Sequence, residues 1–444
     1  MFEIVADSTR QLIAAALLLS YCGFCIWVWR GYRAKPQPVH TSKNDRLIVW
    51  ASQSGNAQQL AQQLQQQLIT AGKPAHCLAL DQLSTRHLQH SKQIIFIVST
   101  FGDGEAPDHA RQFLKRLSAD CNLQHLQIHT LGLGDSSYPD FCAFATQLQT
   151  RLVAQGAHVC LPLMTVDTMQ ASDLELWNLQ IAQLLSIPAQ ASSYYQPAWF
   201  TATLIERTHL NPFSTSPGLY KLRFKTTHNR WQAGDTLLIH PHNNPEHRTR
   251  EYSIASSAQS NYLELIVRAH YDENNTVGLC SGWLCHNLDI HQPLEFSLCS
   301  KPNFHAVHNS KPAIFIGAGS GIAGLRAHIA ERPTLSQNWL ILGERSPLTD
   351  KILAEELGQW HKSQHLTHLD YAFSRAPISP RYVQDYLHEH QQRLIDWLTQ
   401  GATIYVCGSL QGMGRGVQQT LTQLLGEEQM QSLQQQGRYR TDLY

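Results

Sequence analysis

The apolar positions fall into three regimes along the chain. The first and third are built from short all-apolar runs, each followed by a glycine-rich turn and then a helix-period stretch. RLIVWA (46–51), IIFIVS (94–99) and TLGLG (130–134) form the first group; PAIFIG (312–317), WLILGE (339–344) and TIYVCGS (403–409) form the last. Runs without polar alternation predict strands buried on both faces, as in parallel sheets covered by helices. After the first run, Ala57, Leu60, Ala61, Leu64 and Leu68 share one helical face with glutamines opposite. The middle regime differs: FTATLIER, LYKLRFKT, DTLLIHPH, YLELIVRAH and PLEFSLC are short runs separated by turns, which predicts an antiparallel barrel. A Pro/Ser/Ala-rich stretch, IPAQASSYYQPA, separates the first two regimes and reads as a linker.

A further apolar run precedes all of these. Residues 12–29, LIAAALLLSYCGFCIWVW, carry no charge, and as a helix they match the ~30 Å of a bilayer core. Trp27, Trp29 and Tyr32 sit at one end, followed by Arg30, Arg33 and Lys35. Basic residues on that side predict a single-pass membrane anchor with the rest of the chain in the cytoplasm. The start is acidic, with Glu3 and Asp7, which argues against a cleaved signal. The expected divisions are an anchor and tether over 1–45, an α/β domain over 46–187, a β-barrel over 196–306 and a second α/β domain over 311–444. A chain of 444 residues has room for these three folded units.

Composition then narrows the chemistry. Lys+Arg and Asp+Glu are both 34, which argues against a protein that coats nucleic acid. The ten cysteines show neither a disulfide framework nor an iron–sulfur cluster spacing, and scattered thiols suit a reducing compartment. The 24 histidines include no HExxH or other metal spacing, so no metal site is expected.

The strand-to-helix turns carry the candidate chemistry. SQSGNA (52–57) offers hydroxyls and amides at a helix start, an anion cradle without the lysine of a nucleoside-triphosphate loop. It suits a monophosphate. STFGDGE and LGDSSYPDF end two further strands with Phe101 and Tyr138, a pair of aromatics able to sandwich a flat ring at the carboxyl edge of the sheet. RTREYSIASS (248–257) places Arg250, Tyr252 and Ser253 together: a forked cation for phosphate, a flat ring to stack, and a small donor for a ring nitrogen. Such a trio suits a flavin dinucleotide. GLCSGWLC puts small residues at another helix start, and Gly317, Gly319 and Gly321 form a GxGxG turn between strand and helix. Arg345, Arg375 and Arg381, with Ser374, lie near strand ends and suit the extra ribose phosphate of NADPH.

In these motifs the chain resembles the diflavin reductases, of the type found in the flavoprotein subunit of assimilatory sulfite reductase and in NADPH–haemoprotein reductase. SQSGNA, STFGDGE and LGDSSYPDF look like the three FMN loops of a flavodoxin-like domain. The resemblance implies that Ser52, Gln53, Ser54, Asn56 and Ala57 hold the FMN phosphate, that Phe101 and Tyr138 flank the isoalloxazine, and that Gly102, Gly104, Gly134 and Asp135 shape the rims. The middle regime resembles the FAD barrel of ferredoxin–NADP reductases, with Arg250, Tyr252 and Ser253 on flavin and pyrophosphate and Gly278, Cys280 and Ser281 closing on the pyrophosphate. The last regime resembles their NADP domain. There Ser374, Arg375, Arg381, Tyr382 and Gln384 would read the adenosine phosphate; Ser253, Cys407 and Asp442 would surround the point of hydride transfer, and Tyr444 would stack on the FAD ring. The family's large connecting segment has no room here, because Gly234-Asp235 reaches Arg250 in fifteen residues. The implied activity is electron flow from NADPH through FAD and FMN to a haemoprotein or other one-electron acceptor. A ferric-siderophore reductase, a sulfite reductase component and a nucleotide-binding sensor without turnover are the alternatives.

Overall fold

In the computed structural model the described residues are 46–52, 55–100, 104–107, 110, 113–117, 121–136, 138–189, 198–306, 310–377 and 381–444. They form three sheets in chain order. The first contains β1 (Arg46–Ala51), β2 (Ala75–Ala79), β3 (Gln93–Ser99), β4 (Gln127–Gly134), β5 (His158–Val159) and β6 (Met164–Asp167). Its order is β2-β1-β3-β4-β5, with β6 also on β4, and every pairing is parallel. Ile94 to Val98 have no exposed surface, as expected of a strand covered on both faces. Helices α1 (Asn56–Thr70), α2 (Ala143–Ala154) and α3 (Ala171–Leu185) supply the cover. On α1, Ala57, Leu60, Ala61, Leu64 and Leu68 are the buried residues, matching the period read from sequence.

The second sheet is antiparallel, in the order β10-β9-β12-β7-β8-β11. Its strands are β7 (Trp199–His209), β8 (Leu219–Thr226), β9 (Thr236–Ile239), β10 (Arg250–Ser253), β11 (Leu263–Arg268) and β12 (Pro293–Cys299). An antiparallel bridge from Ile254 to Leu265 joins the two outer strands and closes the sheet into a barrel. Leu222 and Phe224 point into its core, while Arg223 between them pairs outward with Glu206 and Glu264. Strand β10 pairs directly with β9, Ser253 opposite Thr236 and Arg250 opposite Ile239, with only a short 3₁₀ turn at Pro241–Asn243 in the connection. No domain stands between the two strands.

The third sheet is parallel, in the order β15-β14-β13-β16-β17. It comprises β13 (Ala313–Ala318), β14 (Asn338–Glu344), β15 (His368–Phe373), β16 (Thr403–Gly408) and β17 (Tyr439–Leu443), with α4 (Ile322–Glu331), α5 (Val383–Glu389) and α6 (Arg415–Leu425) among its helices. The sequence reading did not make 439–443 a strand; its register against β16, Cys407 opposite Asp442, turns out to build the site.

The cores differ in what they join. Two apolar clusters flank the first sheet and draw only on residues 47 to 187. One cluster runs across the barrel and the third sheet, packing Leu219, Ala255, Ile266 and Phe304 with Phe315, Leu325 and Cys407. The barrel and the nucleotide-type sheet therefore share a buried core, whereas no apolar cluster among the described residues joins the first sheet to either.

The expected membrane-spanning run, 12–29, lies outside the described residues. Among the described residues no helix is long and apolar enough to cross a membrane.

Candidate functional site

At the carboxyl edge of the first sheet, Ser52 is buried and its Oγ accepts from the backbone NH of Ala57 at 3.3 Å, which folds the turn over the start of α1. Gly55 in this turn has φ +87°, a conformation that favours glycine. The next two loops pack against each other through glycine. A Cβ on Gly104, at φ +87°, would lie 2.7 Å from Asp140 Cβ, and one on Gly134 would lie 2.8 Å from Cys142 Sγ. Tyr138 is exposed and its NH bonds Asp135 O at 3.1 Å. An exposed aromatic at the mouth of a helix-start cradle fits a flat ring carrying a phosphate. Gln53, Ser54, Phe101 and Gly102 lie outside the described residues.

The structure adds Asp167 at the end of β6, which sequence reasoning missed. Its carboxylate accepts from Ser136 N at 2.9 Å and Ser136 Oγ at 2.5 Å. Burial pushes its pKa up, but the Ser136 bonds and the Arg248 guanidinium outweigh that and hold it below the usual carboxylate range.

On the barrel, Tyr252 packs on the core and meets Cys280, so the β10 motif and the small-residue turn come together. Burial is the main reason the Tyr252 phenol is raised above its ordinary value, and burial lifts the Cys280 thiol to about 11. Ser281 Oγ accepts from His270 N at 3.1 Å, and a Cβ on Gly278 would lie 2.9 Å from that hydroxyl. Arg250 is exposed and donates to Thr249 O at 3.1 Å and Arg248 O at 3.5 Å.

Two sheets converge on the third cluster. Ser253 Oγ, at the end of β10, donates to Asp442 Oδ2 on β17 at 2.6 Å, and Cys407 Sγ on β16 approaches the same oxygen at 3.6 Å. Gly324 of α4 lies over them: a Cβ there would sit 3.5 Å from Cys407 Sγ and 3.7 Å from Ser253 Cβ. Burial raises the Asp442 pKa and the Lys301 ammonium opposes it. Burial, then Asp442, raises the Cys407 thiol well above its normal value, so the sulfur stays protonated. Lys301 is itself tied to Glu251 at 2.5 Å, and Thr236 Oγ1 donates to the same Glu251 oxygen at 2.6 Å. Lys301 belongs to no motif, and Glu251, though inside RTREYSIASS, was not singled out in the sequence because its partner Lys301 lies 50 residues away.

The GxGxG turn makes contacts that a side chain would fill. A Cβ on Gly321 would fall 2.1 Å from Cys407 O, and one on Gly319, at φ +57°, would fall 3.0 Å from the Arg268 guanidinium. Only a bare backbone fits this strand-to-helix turn. Tyr444 is about half exposed and its hydroxyl bonds Ser320 Oγ at 2.8 Å, within the same turn. Arg268 enters from the barrel and pairs with Glu344 at 3.2 Å; burial lifts the Glu344 pKa to about 7. Beyond the end of β15, Arg381 donates to Ser374 O at 2.8 Å and Arg375 to Thr215 Oγ1 at 3.0 Å, while exposed Tyr382 follows Arg381. Gln384 turns elsewhere, toward Gly416 at the start of α6, where a Cβ would meet its Nε2 at 2.1 Å.

A flavodoxin-type sheet ahead of a closed barrel and a GxGxG-bearing parallel sheet defines a flavoprotein reductase. Residues 48–177 match the flavodoxin family, and residues 315–419 match the oxidoreductase NAD-binding domain. The chain is also similar to the sulfite reductase [NADPH] flavoprotein alpha-components of Bacillus subtilis (24% identity, 92% of this chain and 90% of the relative), Thiocapsa roseopersicina (26%, 87% and 85%) and Mannheimia succiniciproducens (23%, 89% and 89%). The first of these alignments runs over 546 positions, longer than the whole 444-residue chain, so that relative carries a long stretch with no counterpart here. A flavodoxin domain and an oxidoreductase NAD-binding domain in one chain, together with these relatives, fit a diflavin reductase family.

The expected localisation, a single-pass membrane protein with cytoplasmic domains, is corrected. No helix among the described residues is long and apolar enough to span a bilayer, and the relatives are named as components of a sulfite reductase. An apolar run matched to bilayer thickness supplies a length, and length alone does not place a protein in a membrane.

Proposed function

We propose that the protein is an NADPH-dependent diflavin oxidoreductase that carries electrons from NADPH through FAD and FMN to a redox acceptor protein. When bound, the nicotinamide supplies a hydride, FAD takes it as two electrons and FMN releases them singly. The observation that carries this reading is the meeting of Ser253, Cys407 and Asp442 from three strands of two sheets.

The residues divide the work. Ser52, Gln53, Ser54, Asn56 and Ala57 hold the FMN phosphate; Phe101 and Tyr138 flank its ring, and Gly102, Gly104, Gly134 and Asp135 shape the rims. Arg250 and Tyr252, with Gly278, Cys280 and Ser281, hold FAD. Gly317, Gly319 and Gly321 take the NADPH pyrophosphate. Ser374, Arg375, Arg381 and Tyr382 read the adenosine phosphate, and exposed cations suit that task because a phosphate dianion accepts forked donors. Gln384, whose side-chain amide lies against Gly416 at the start of α6, would complete that set. Asp442 holds a negative charge where positive charge develops on the nicotinamide, a preorganised electrostatic role. Ser253 fixes that carboxylate through its 2.6 Å bond, and Cys407, protonated and 3.6 Å from the same oxygen, would line the point of hydride transfer without acting as a nucleophile. Tyr444, held at its hydroxyl by Ser320, would stack on the FAD ring.

The acceptor is a protein that takes one electron at a time. The names of the relatives favour a sulfite reductase haemoprotein, while a ferric chelate has no support in them. Purified protein is expected to be yellow, with about one FAD and one FMN per chain, and to bleach with NADPH under argon. A colourless protein would overturn the enzyme reading in favour of a nucleotide-binding sensor. Cytochrome c, sulfite reductase haemoprotein and ferric siderophores, each supplied with NADPH, would then separate the acceptors.

A further inference from the structure

We infer that Glu251 is a positioning residue for the hydride site: it holds the Lys301 ammonium beside Asp442 without letting it neutralise that carboxylate. The inference rests on the hydride transfer proposed above.

Glu251 stands between Arg250 and Tyr252 on β10. Side chains two apart on a strand share a face, so Glu251 lies on the face of β10 that carries Ser253. Ser253 Oγ reaches Asp442 Oδ2 at 2.6 Å, and Glu251 Oε1 lies 2.5 Å from Lys301 Nζ. Strand β9 steadies the glutamate: Thr236, opposite Ser253 in the ladder, donates from Oγ1 to Glu251 Oε1 at 2.6 Å. Thr236 also stands opposite Cys299 on β12, and Lys301 follows just beyond that strand. The backbone that carries Lys301 is tied down on two sides. Arg440, on the same face of β17 as Asp442, donates from Nη1 to Pro302 O at 3.0 Å. Asp235 Oδ1 accepts from Lys301 N at 3.4 Å and lies 2.6 Å from His305 Nε2. With its backbone pinned, Lys301 has only its side chain with which to choose between two carboxylates.

The charges explain why that choice matters. The Lys301 side chain is 16% exposed, and burial disfavours its charged form; Glu251 is the foremost group that opposes this and keeps it an ammonium. At Asp442 burial raises the pKa, Lys301 and the Ser253 hydrogen bond lower it, and Glu251 raises it. The remaining ionisable groups around this carboxylate are the protonated Cys407 on β16 and Tyr444 just after β17, while α4 presents the uncharged Gly324. A buried carboxylate without a cation nearby would take up a proton. A cation in full contact would keep it ionised but cancel its charge. Two carboxylates sharing one ammonium avoid both outcomes, because the set carries one net negative charge. With the ammonium drawn to Glu251, that charge rests on Asp442, where the nicotinamide becomes positive.

The test uses the full flavin-loaded chain with Glu251→Gln, Lys301→Met and the double variant. Flavin reduction by NADPH is followed in stopped flow across pH. Glutamine keeps the size of Glu251 and an acceptor for Thr236, so FAD content should match that of the unaltered chain. Glu251→Gln frees the ammonium to pair with Asp442, so the acid limb should move to lower pH by about half a unit or more. The plateau rate should fall about tenfold, because the carboxylate is then neutralised. Lys301→Met should move the limb to higher pH and spare the plateau. In the Lys301→Met background, Glu251→Gln should leave the plateau within about twofold, because the glutamate acts through the ammonium. Glu251→Asp, which keeps the charge, should restore most of the plateau, and it replaces Glu251→Gln in the comparison if the latter fails to retain FAD. Limbs that move in the same direction, or an unmoved limb in Glu251→Gln, would overturn the inference. So would a full tenfold loss from Glu251→Gln in the Lys301→Met background, which marks a purely structural part in β10. Absence of bleaching in the unaltered chain would instead count against the NADPH reading itself.

Discussion

At the scale of single residues, Asp442 is the position on which the chemistry depends most. Its carboxylate is raised by burial and held down by Lys301. Asp442→Ala should slow flavin reduction by NADPH about 100-fold in stopped flow, the usual loss when one preorganised electrostatic group is removed. An unchanged rate would remove Asp442 from the mechanism. Lys301→Met takes away the ammonium that favours the charged form, so the Asp442 pKa rises further. The acid limb of the pH profile for flavin reduction should therefore move to higher pH; a shift the other way, or none, would rule out that coupling. Gly321 offers a third check at this scale. A Cβ there would fall 2.1 Å from backbone oxygen, which cannot move aside cheaply. Gly321→Ala should weaken NADPH binding, measured by flavin-fluorescence or isothermal titration, more than Gly358→Ala, where nothing lies within 4 Å.

At the scale of elements, the strand ends decide which side chains meet. Ser253, at the last position of β10, and Asp442, on β17, lie 189 residues apart in the chain. Their meeting follows from the closure of the barrel at Ile254–Leu265 and the parallel register of β16 on β17. Arg268 at the end of β11 and Glu344 at the end of β14 join the barrel to the third sheet in the same way. Burial dominates at Glu344, giving a folded pKa of about 7 against an ordinary 4.5. A raised carboxyl pKa means that folding favours the protonated form. Its contribution to stability is therefore full below pH 4.5 and is lost as the pH rises to about 7. Glu344→Gln should flatten the pH dependence of thermal stability across that window, and an unaltered slope would refute the assignment. The motifs were legible in sequence because turn chemistry is local: SQSGNA, RTREYS and GAGSG each announce a strand-to-helix or strand-to-strand junction. Asp167, Arg268 and Lys301 were not legible, because each acts through a partner far away in the chain.

At the scale of the whole molecule, the three sheets are joined unequally. A shared core binds the barrel to the third sheet, while the first sheet contacts them through charge. The stretch 187–198 joins the units and is rich in small and polar residues, which suit protease access. Limited proteolysis is expected to cut there first, releasing a smaller fragment that retains FMN and a larger one that retains FAD. Initial cleavage inside either sheet, or FMN found on the larger fragment, would contradict that division. With β10 hydrogen-bonded directly to β9, no domain intervenes between those two strands of the barrel.

The sequence by itself determined the order and class of the three folded units and the glycine-rich turns at their strand ends. Buried parallel strands, an alternating barrel and glycine turns are written in local patterns of polarity and backbone freedom. It also supplied an apolar run whose length suggested a membrane, an inference that length alone could not secure. The family resemblance already grouped Ser253, Cys407 and Asp442; only the tertiary structure decided that a strand, β17, carries Asp442 to the other two, that Gln384 faces α6, and that Arg248 reaches Asp135 and Asp167. The physical reason is sequence separation: turns and periodicities are set by neighbours, whereas a charge pair or a shared proton depends on which distant strands are packed side by side.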